Sequence, residues 1–232
     1  ERRAFRVSGI VQGVGFRPFV YRLAREYSLA GCVWNDSAGV GIEAEGAAAA
    51  LDAFAAALHT EAPRAAAVSS VTFAELPPTG AEGFHILPSP AGTVARTLVS
   101  PDLAVCADCR REILSAGNRR HGYAFTNCTN CGPRYSIIRG VPYDRPLTSM
   151  AAFQMCPACQ REYDDPADRR FHAEPNACAD CGPSYRLLVD GVAWTGDPLL
   201  RARELIAAGG IVAVKGIGGY HLACDARSDA AV

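Results

Sequence analysis

The chain has 232 residues, with 23 Lys and Arg against 24 Asp and Glu, a formal net charge of -1 at pH 7 and 49% hydrophobic residues. That balance excludes a protein that holds nucleic acid through a general basic surface, and no apolar run reaches the length of a membrane span. With 22 Gly, 15 Pro and 10 Cys, the composition describes a folded, loop-containing chain whose cysteines need a chemical explanation.

Phe5, Val7 and Ile10/Val11 mark a first strand. It runs into Gln12, Gly13, Val14, Gly15, Phe16 and Arg17, where two glycines let the backbone turn its N–H groups inward, and Pro18 is expected to open a helix at its first position. That helix carries Val20, Leu23, Ala24 and Tyr27 on one face, and Gly31 stops it. A hairpin from Cys32–Trp34 to Val40–Glu45 follows, then a helix bearing Leu51, Phe54, Ala55 and Leu58, then strands near Val68–Ala74 and Phe84–Leu87. The order is βαββαβ, a split-βαβ, ferredoxin-like sandwich in an α+β chain.

N–H groups converging at a helix N-terminus form an anion site, and an arginine beside them offers a planar fork for two phosphate oxygens. By itself, a glycine turn with one arginine caps a helix more often than it binds phosphate. The whole string from Val7 to Arg17, with Gly31–Asn35 and Gly41–Gly46, resembles the acylphosphatase family. The resemblance implies that the loop 12–17 and Arg17 hold a phosphoryl group and that Asn35 orients the attacking water. Gly15 is a departure, since that family usually carries a bulkier residue there. Both Arg17 and Asn35 are expected at the site and not in the core, so replacing either is expected to leave the fold intact. Ser8, Ser37 and His85 have no supporting pattern and are taken as ordinary surface or packing residues.

Pro77–Pro78 and Pro88–Gly92 punctuate a boundary, with a linker expected near residues 88–104. Beyond it lie Cys106/Cys109, Cys128/Cys131, Cys156/Cys159 and Cys178/Cys181, two copies of C-x2-C-x18-C-x2-C. A shift of fifty residues superposes the copies, along with Arg111/Arg161, Glu112/Glu162, Arg119/Arg169, Arg120/Arg170, Gly132/Gly182, Pro133/Pro183 and Tyr135/Tyr185. Each copy has the count and spacing of a four-thiolate zinc site, so two structural zinc ions are expected, at 106–131 and 156–181. Disulfides explain the same cysteines poorly. C-x-x-C neighbours make poor structural bridges, and no export signal precedes them, so a cytoplasmic location is expected. Between Cys106 and Cys181 there are 10 Arg and 9 Asp or Glu, which is no phosphate-tracking patch, and nucleic acid is not the expected partner. His121 and His172 are taken as surface histidines.

After Tyr185 come a short strand ending at Asp190–Gly191, a helix from Pro198 to Gly209 and a buried strand at 211–214. That strand delivers Lys215, Gly216, Ile217, Gly218 and Gly219. With Leu222–Asp225, this stretch resembles the opening of the YrdC/Sua5-type nucleotide-binding fold, which implies that Lys215, Gly216, Gly218 and Gly219 form part of an ATP site. The domains read as 1–90 acylphosphatase-like, 91–185 linker and paired zinc fingers, and 186–232 the start of a YrdC-like domain.

The ordered set of three motifs resembles the N-terminal part of the HypF family of hydrogenase maturation carbamoyltransferases. The resemblance implies cleavage of carbamoyl phosphate, activation of the carbamate with ATP and Mg, and carbamoyl transfer to the C-terminal cysteine of a HypE-type acceptor for cyanide ligand synthesis. Two alternatives stay open: a related carbamoyltransferase with another acceptor, and an inactive zinc-dependent interaction module. Glu1 in place of Met, and an ending at Asp229–Val232 in mid-pattern, suggest a piece of a longer chain, with the acceptor step outside it.

Overall fold

The computed structural model describes residues 1–90, 98–216 and 218–232. Residues 91–97 of the expected linker and Ile217 of the lysine-glycine stretch lie outside the described residues. The chain divides into two units, Glu1–Gly182 and Pro183–Val232.

The first unit opens with β1 (Arg2–Ile10), α1 (Phe16–Glu26), β2 (Ala30–Asp36), β3 (Gly39–Glu45), α2 (Ala48–Thr60), β4 (Ala67–Leu76) and β5 (Phe84–Ile86). The sheet order is β4-β1-β3-β2-β5, antiparallel except for the parallel β2–β5 pair at its edge. This is the expected acylphosphatase-like sandwich. Alternation puts Phe5, Val7, Val33, Ile42 and Ala44 into one core with Val20 and Leu23 of α1 and Leu51, Phe54 and Leu58 of α2. Phe5 meets Phe54 edge-on at 5.6 Å between ring centroids. On the other face Arg2 pairs with Glu43 and Arg6 with Asp36.

α1 starts two residues earlier than the proline signal indicated. Gly15, at φ 74, forms its N-terminal boundary and Pro18 sits in the first turn. A proline is harmless there, because first-turn N–H groups have no acceptor within the helix.

The cysteine-rich part of the unit holds α3 (Ala107–Leu114) and α4 (Pro157–Asp164). In each copy the first cysteine is the N-cap and the second lies in the first turn, so both thiolates sit at the positive end of a helix dipole. Apolar packing is sparse here. The buried residues include Arg120, Arg134, Arg170, Glu174 and Asn176, as well as the thiols Cys109, Cys128, Cys131, Cys159 and Cys178.

The second unit contains β6 (Leu188–Val189), β7 (Val192–Ala193), α5 (Pro198–Ala207), β8 (Val212–Lys215) and β9 (Tyr220–Ala223). Asp197 caps α5, accepting from the N–H groups of Leu199 and Leu200 at 2.8 and 3.0 Å. The strand read as buried is exposed: Ile211, Val214 and Leu222 face outward. β8 pairs with β9 alone, and α5 meets β8.

Candidate functional site: two thiolate centres and an anion cradle

Each repeat closes its own set of sulfurs. In the first, Sγ separations are 3.7 Å for Cys106/Cys128, 3.9 Å for Cys128/Cys131 and 3.5 Å for Cys109/Cys131. In the second they are 3.8 Å for Cys156/Cys178, 3.8 Å for Cys178/Cys181 and 3.6 Å for Cys159/Cys181. These exclude disulfides, whose sulfurs lie about 2 Å apart. Four sulfurs about 2.3 Å from a zinc ion form a tetrahedron with edges of about 3.8 Å, so both sets fit zinc.

The repeats exchange arginines. Arg119 of the first donates to Cys156 Sγ at 3.5 Å and Cys159 Sγ at 3.3 Å, and Arg169 of the second donates to Cys109 Sγ at 3.1 Å and Cys106 Sγ at 3.9 Å. Arg119 and Arg120 also hold Glu162, while Arg169 and Arg170 hold Glu112. Burial works against the Glu162 carboxylate, yet the three arginines around it bring it down to about 2. Arg120 Nε donates to Ala177 O at 3.1 Å, and Arg170 Nε to Asn127 O at 3.0 Å, the same bond shifted by fifty residues. Arg119, Arg120, Arg169 and Arg170 are therefore internal cross-links between the repeats.

The second site is the turn between β1 and α1. Gly13 and Gly15 have φ of 71 and 74, which a residue with Cβ adopts only under strain. The backbone N–H groups of Gly13, Val14, Gly15, Phe16 and Arg17 donate to no acceptor among the described residues. Gln12 braces the turn: its Nε2 donates to Asp36 O at 2.6 Å and Gly39 O at 2.7 Å, and its Oε1 accepts from Tyr143 N at 2.9 Å. Arg17 and Asn35 line one small cavity with this turn, of about 20 Å³, room for one water. Asn35 is 1% exposed, and its Oδ1 has no hydrogen-bond partner among the described residues.

The cysteine-rich region forms the other wall of that cavity through Thr129, Arg134, Tyr143, His172 and Glu174. Arg17 is buried, and its Nη2 lies 2.6 Å from Glu174 Oε1 and 2.8 Å from Asp144 Oδ1. Burial opposes its charge, but the two carboxylates outweigh that and hold it firmly protonated. Burial pushes the Glu174 carboxyl above its ordinary range, and Arg17 pulls it back. Arg134 is fully buried. It donates to Gly13 O in the turn and to Cys128 O, Thr129 O and Cys131 O beside the first thiolate set at 3.2, 3.0 and 3.1 Å.

Three readings from sequence change here. Arg17 is an internal counter-ion, so its removal takes the cation away from Glu174 and Asp144. His172 is no surface histidine: it packs on Tyr163 and Phe171 with ring centroids 4.9 and 4.7 Å away, and burial, with Arg17 nearby, lowers it to about 4. Gly15 has its reason in Thr129, whose Cβ would stand 3.3 Å from a Cβ placed there.

Lys215 donates to Gly216 O at 2.9 Å and lies exposed over Tyr220, and Gly216 N donates to Gly219 O at 2.7 Å across the β8–β9 turn with Gly218 at its tip. Sequence reasoning missed Glu174, Asp144, Arg134, Tyr143 and Tyr163. The available signal was a failure of the fifty-residue repeat, since Glu174, Arg134 and Tyr163 align with Ala124, Ser184 and Ile113.

Comparison with known proteins covers the whole chain. Residues 3–86 match the acylphosphatase family model, residues 105–138 and 155–188 the HypF finger, and residues 204–232 the family described as telomere recombination, the Sua5/YciO/YrdC group. Carbamoyltransferase HypF2 of Cupriavidus necator is 53% identical over 239 residues, covering 100% of this chain and 29% of the relative. An acylphosphatase of Thermotoga petrophila is 45% identical over 82 residues, covering 35% of this chain and 90% of the relative. A crystal structure of full-length HypF in the phosphate- and nucleotide-bound form matches with a TM-score of 0.91 at 44% identity, over 99% of this chain and 30% of that one.

Proposed function

The chain belongs to the HypF family of carbamoyltransferases, with its acylphosphatase, finger and initial YrdC-like segments, and from that premise we propose that the turn 12–17, Arg17 and Asn35 hydrolyse acyl phosphates, carbamoyl phosphate included. The chain spans 29% of the length of the HypF2 relative. What the whole protein does is part of the same proposal: the carbamate is activated with ATP and Mg at a site that Lys215, Gly216, Gly218 and Gly219 help to form, and the carbamoyl group passes to the C-terminal cysteine of a HypE-type acceptor for cyanide ligand synthesis.

The single observation that carries the hydrolytic reading is a set of donors without acceptors. Five consecutive N–H groups and the Nε and Nη1 atoms of Arg17 have no partner among the described residues, and Gly13, Gly15, Phe16 and Arg17 line one cavity. Such groups are costly to bury unless an anion takes them up. A phosphoryl group does so with three oxygens. Asn35 Oδ1 is the acceptor left for a water, which it turns toward phosphorus. Water then forms the new P–O bond as the P–O bond to the carbamate breaks, giving inorganic phosphate and carbamate, and the water's proton passes to a phosphate oxygen or solvent. Preorganised donors aimed at the transferring group are sufficient for such a reaction. The two cysteine sets would hold zinc, whose contribution is folding free energy for a region with little apolar core.

The test is hydrolysis of acetyl and carbamoyl phosphate by the chain. Arg17→Ala is expected to lower turnover at least about a hundredfold, since comparable preorganised contacts are worth roughly 3 to 4 kcal/mol. Arg17→Lys keeps a charge beside Glu174 but loses the fork, and is expected to fall at least about tenfold with the fold retained. Asn35→Ala should lower kcat more than it changes KM, because it loses water orientation and not phosphate binding. Parent rates in a folded Arg17→Lys protein would remove the assignment and favour the inactive interaction module.

A further inference from the structure

We infer that the finger region plugs the anion cradle with its own carboxylates: Glu174 and Asp144 stand at Arg17 where a phosphoryl group would, and an acyl phosphate binds by taking Arg17 from them. The inference rests on the hydrolytic reading above. A guanidinium offers an anion two bidentate forks, Nε with Nη2 and Nη1 with Nη2, and Nη2 belongs to both. That shared atom is the one the carboxylates hold, with Glu174 Oε1 at 2.6 Å and Asp144 Oδ1 at 2.8 Å. Either grip on phosphate therefore needs an atom that is already taken. Charge acts in the same direction, since one cation facing two carboxylates has no surplus with which to draw an anion. Space does too, because a cavity of about 20 Å³ holds one water and not a phosphoryl group.

The plug comes from two places in the finger region. Glu174 lies in the second repeat, just ahead of Cys178, and Asp144 lies in the segment between the repeats. That segment is laid over the turn: Tyr143 N donates to Gln12 Oε1 at 2.9 Å, and Tyr143 Cδ1 would stand 3.3 Å from a Cβ placed on Gly13. Release strands neither carboxylate. Without Arg17, Glu174 Oε2 still accepts from Arg145 N at 2.9 Å, and the Tyr163 hydroxyl still lies 3.2 and 3.1 Å from the two oxygens. The Asp144 side chain is 19% exposed, so water can replace the arginine there. Arg17 is the group that cannot be left alone, because it is buried and these carboxylates are its ion-pair partners among the described residues. The carboxylates therefore let go as an anion arrives, in an exchange of partners, and the site does not stand open and empty.

The experiment titrates inorganic phosphate into the zinc-loaded chain by calorimetry and follows acetyl phosphate hydrolysis beside it, with zinc content as the check on the fold. Glu174→Gln keeps the shape of the side chain and removes its charge, while Asp144 remains opposite Arg17. It is expected to tighten phosphate binding by about tenfold and to lower the KM for acetyl phosphate in parallel, because one of two charged competitors is gone. Asp144→Asn is expected to act in the same direction. A purely structural role predicts the opposite, since loosening a site weakens what it binds. Phosphate affinity that is unchanged or weaker in zinc-loaded Glu174→Gln overturns the inference. If Glu174→Gln loses zinc, Asp144→Asn decides: tighter phosphate binding supports the plug, and unchanged or weaker binding overturns it. Failure of the hydrolytic reading looks different, since phosphate would then bind more tightly to Glu174→Gln while neither protein hydrolysed acetyl phosphate.

Discussion

The two cysteine repeats share a frame and differ in what they present. Where residues make or brace the thiolate sets, the copies agree: Arg119 and Arg169 reach across to the other repeat's sulfurs, Glu112 and Glu162 receive the other repeat's arginines, and both Nε bonds fall on equivalent carbonyls. Where they face the turn 12–17, they part. The first offers Thr129 and Arg134, which press on Gly15 and Gly13, and the second offers His172 and Glu174 around Arg17. Even the backbone records this: Gly122 and His172 occupy the same left-handed turn, at φ 71 and 51, but only the second copy places a side chain there. Duplication supplied one rigid scaffold twice, and the two copies then took opposite sides of a single cavity.

The comparison breaks most visibly if the metal is removed. Structural zinc contributes about 10 to 16 kcal/mol in small finger peptides, so a strong chelator is expected to unfold residues 106–181 while the sheet of residues 2–86 keeps its own apolar core. Zinc content measured beside far- and near-ultraviolet circular dichroism checks this, and a cysteine-rich region that stays folded without metal would show that the ion pairs suffice. A sharper test asks whether the arginine exchange is symmetrical. Arg119→Ala should weaken the second centre and Arg169→Ala the first, each by about 10- to 100-fold in zinc affinity, as for other partners of metal ligands. Chelator competition followed by mass spectrometry of alkylated cysteines reads each centre separately, and weakening of the variant's own repeat in place of its neighbour's would contradict the exchange. The smallest effect concerns the shared turn. Gly122→Ala meets no atom within 4 Å yet must hold a positive φ, so it should cost about 1 to 2 kcal/mol in chemical denaturation with zinc content unchanged.

The local signals in the sequence were sound where short-range physics governs. Alternation in β1, the amphipathic face of α1, and the C-x-x-C spacings each follow from a few neighbouring residues, and each gave the right element. The start of α1 was misplaced, because Gly15 rather than Pro18 sets the boundary. The cavity's first wall, at Gly13, Gly15 and Arg17, was legible as a turn that opens a helix. Its second wall was not, since Glu174 stands 157 residues from Arg17 and Arg134 stands 121 from Gly13, and nothing local marks either as a site residue. His172 was misjudged for a related reason. A histidine in a polar run looks exposed, and only packing against Tyr163 and Phe171 shows otherwise.

The exchange of arginines bears on ancestry. A single repeat has Arg119 and Glu112 but nowhere within itself to spend them, since each needs the other copy's counterpart. Two separate chains bearing one repeat each satisfy all of these contacts at once, because residue i meets residue j and j meets i, as in an isologous dimer. The frame therefore has the reciprocity of an isologous dimer within one polypeptide, where the contacts do not depend on concentration. Two repeats on one chain need not be identical, so they can line one asymmetric cavity with different residues, where a strict dimer would have to build that cavity twice.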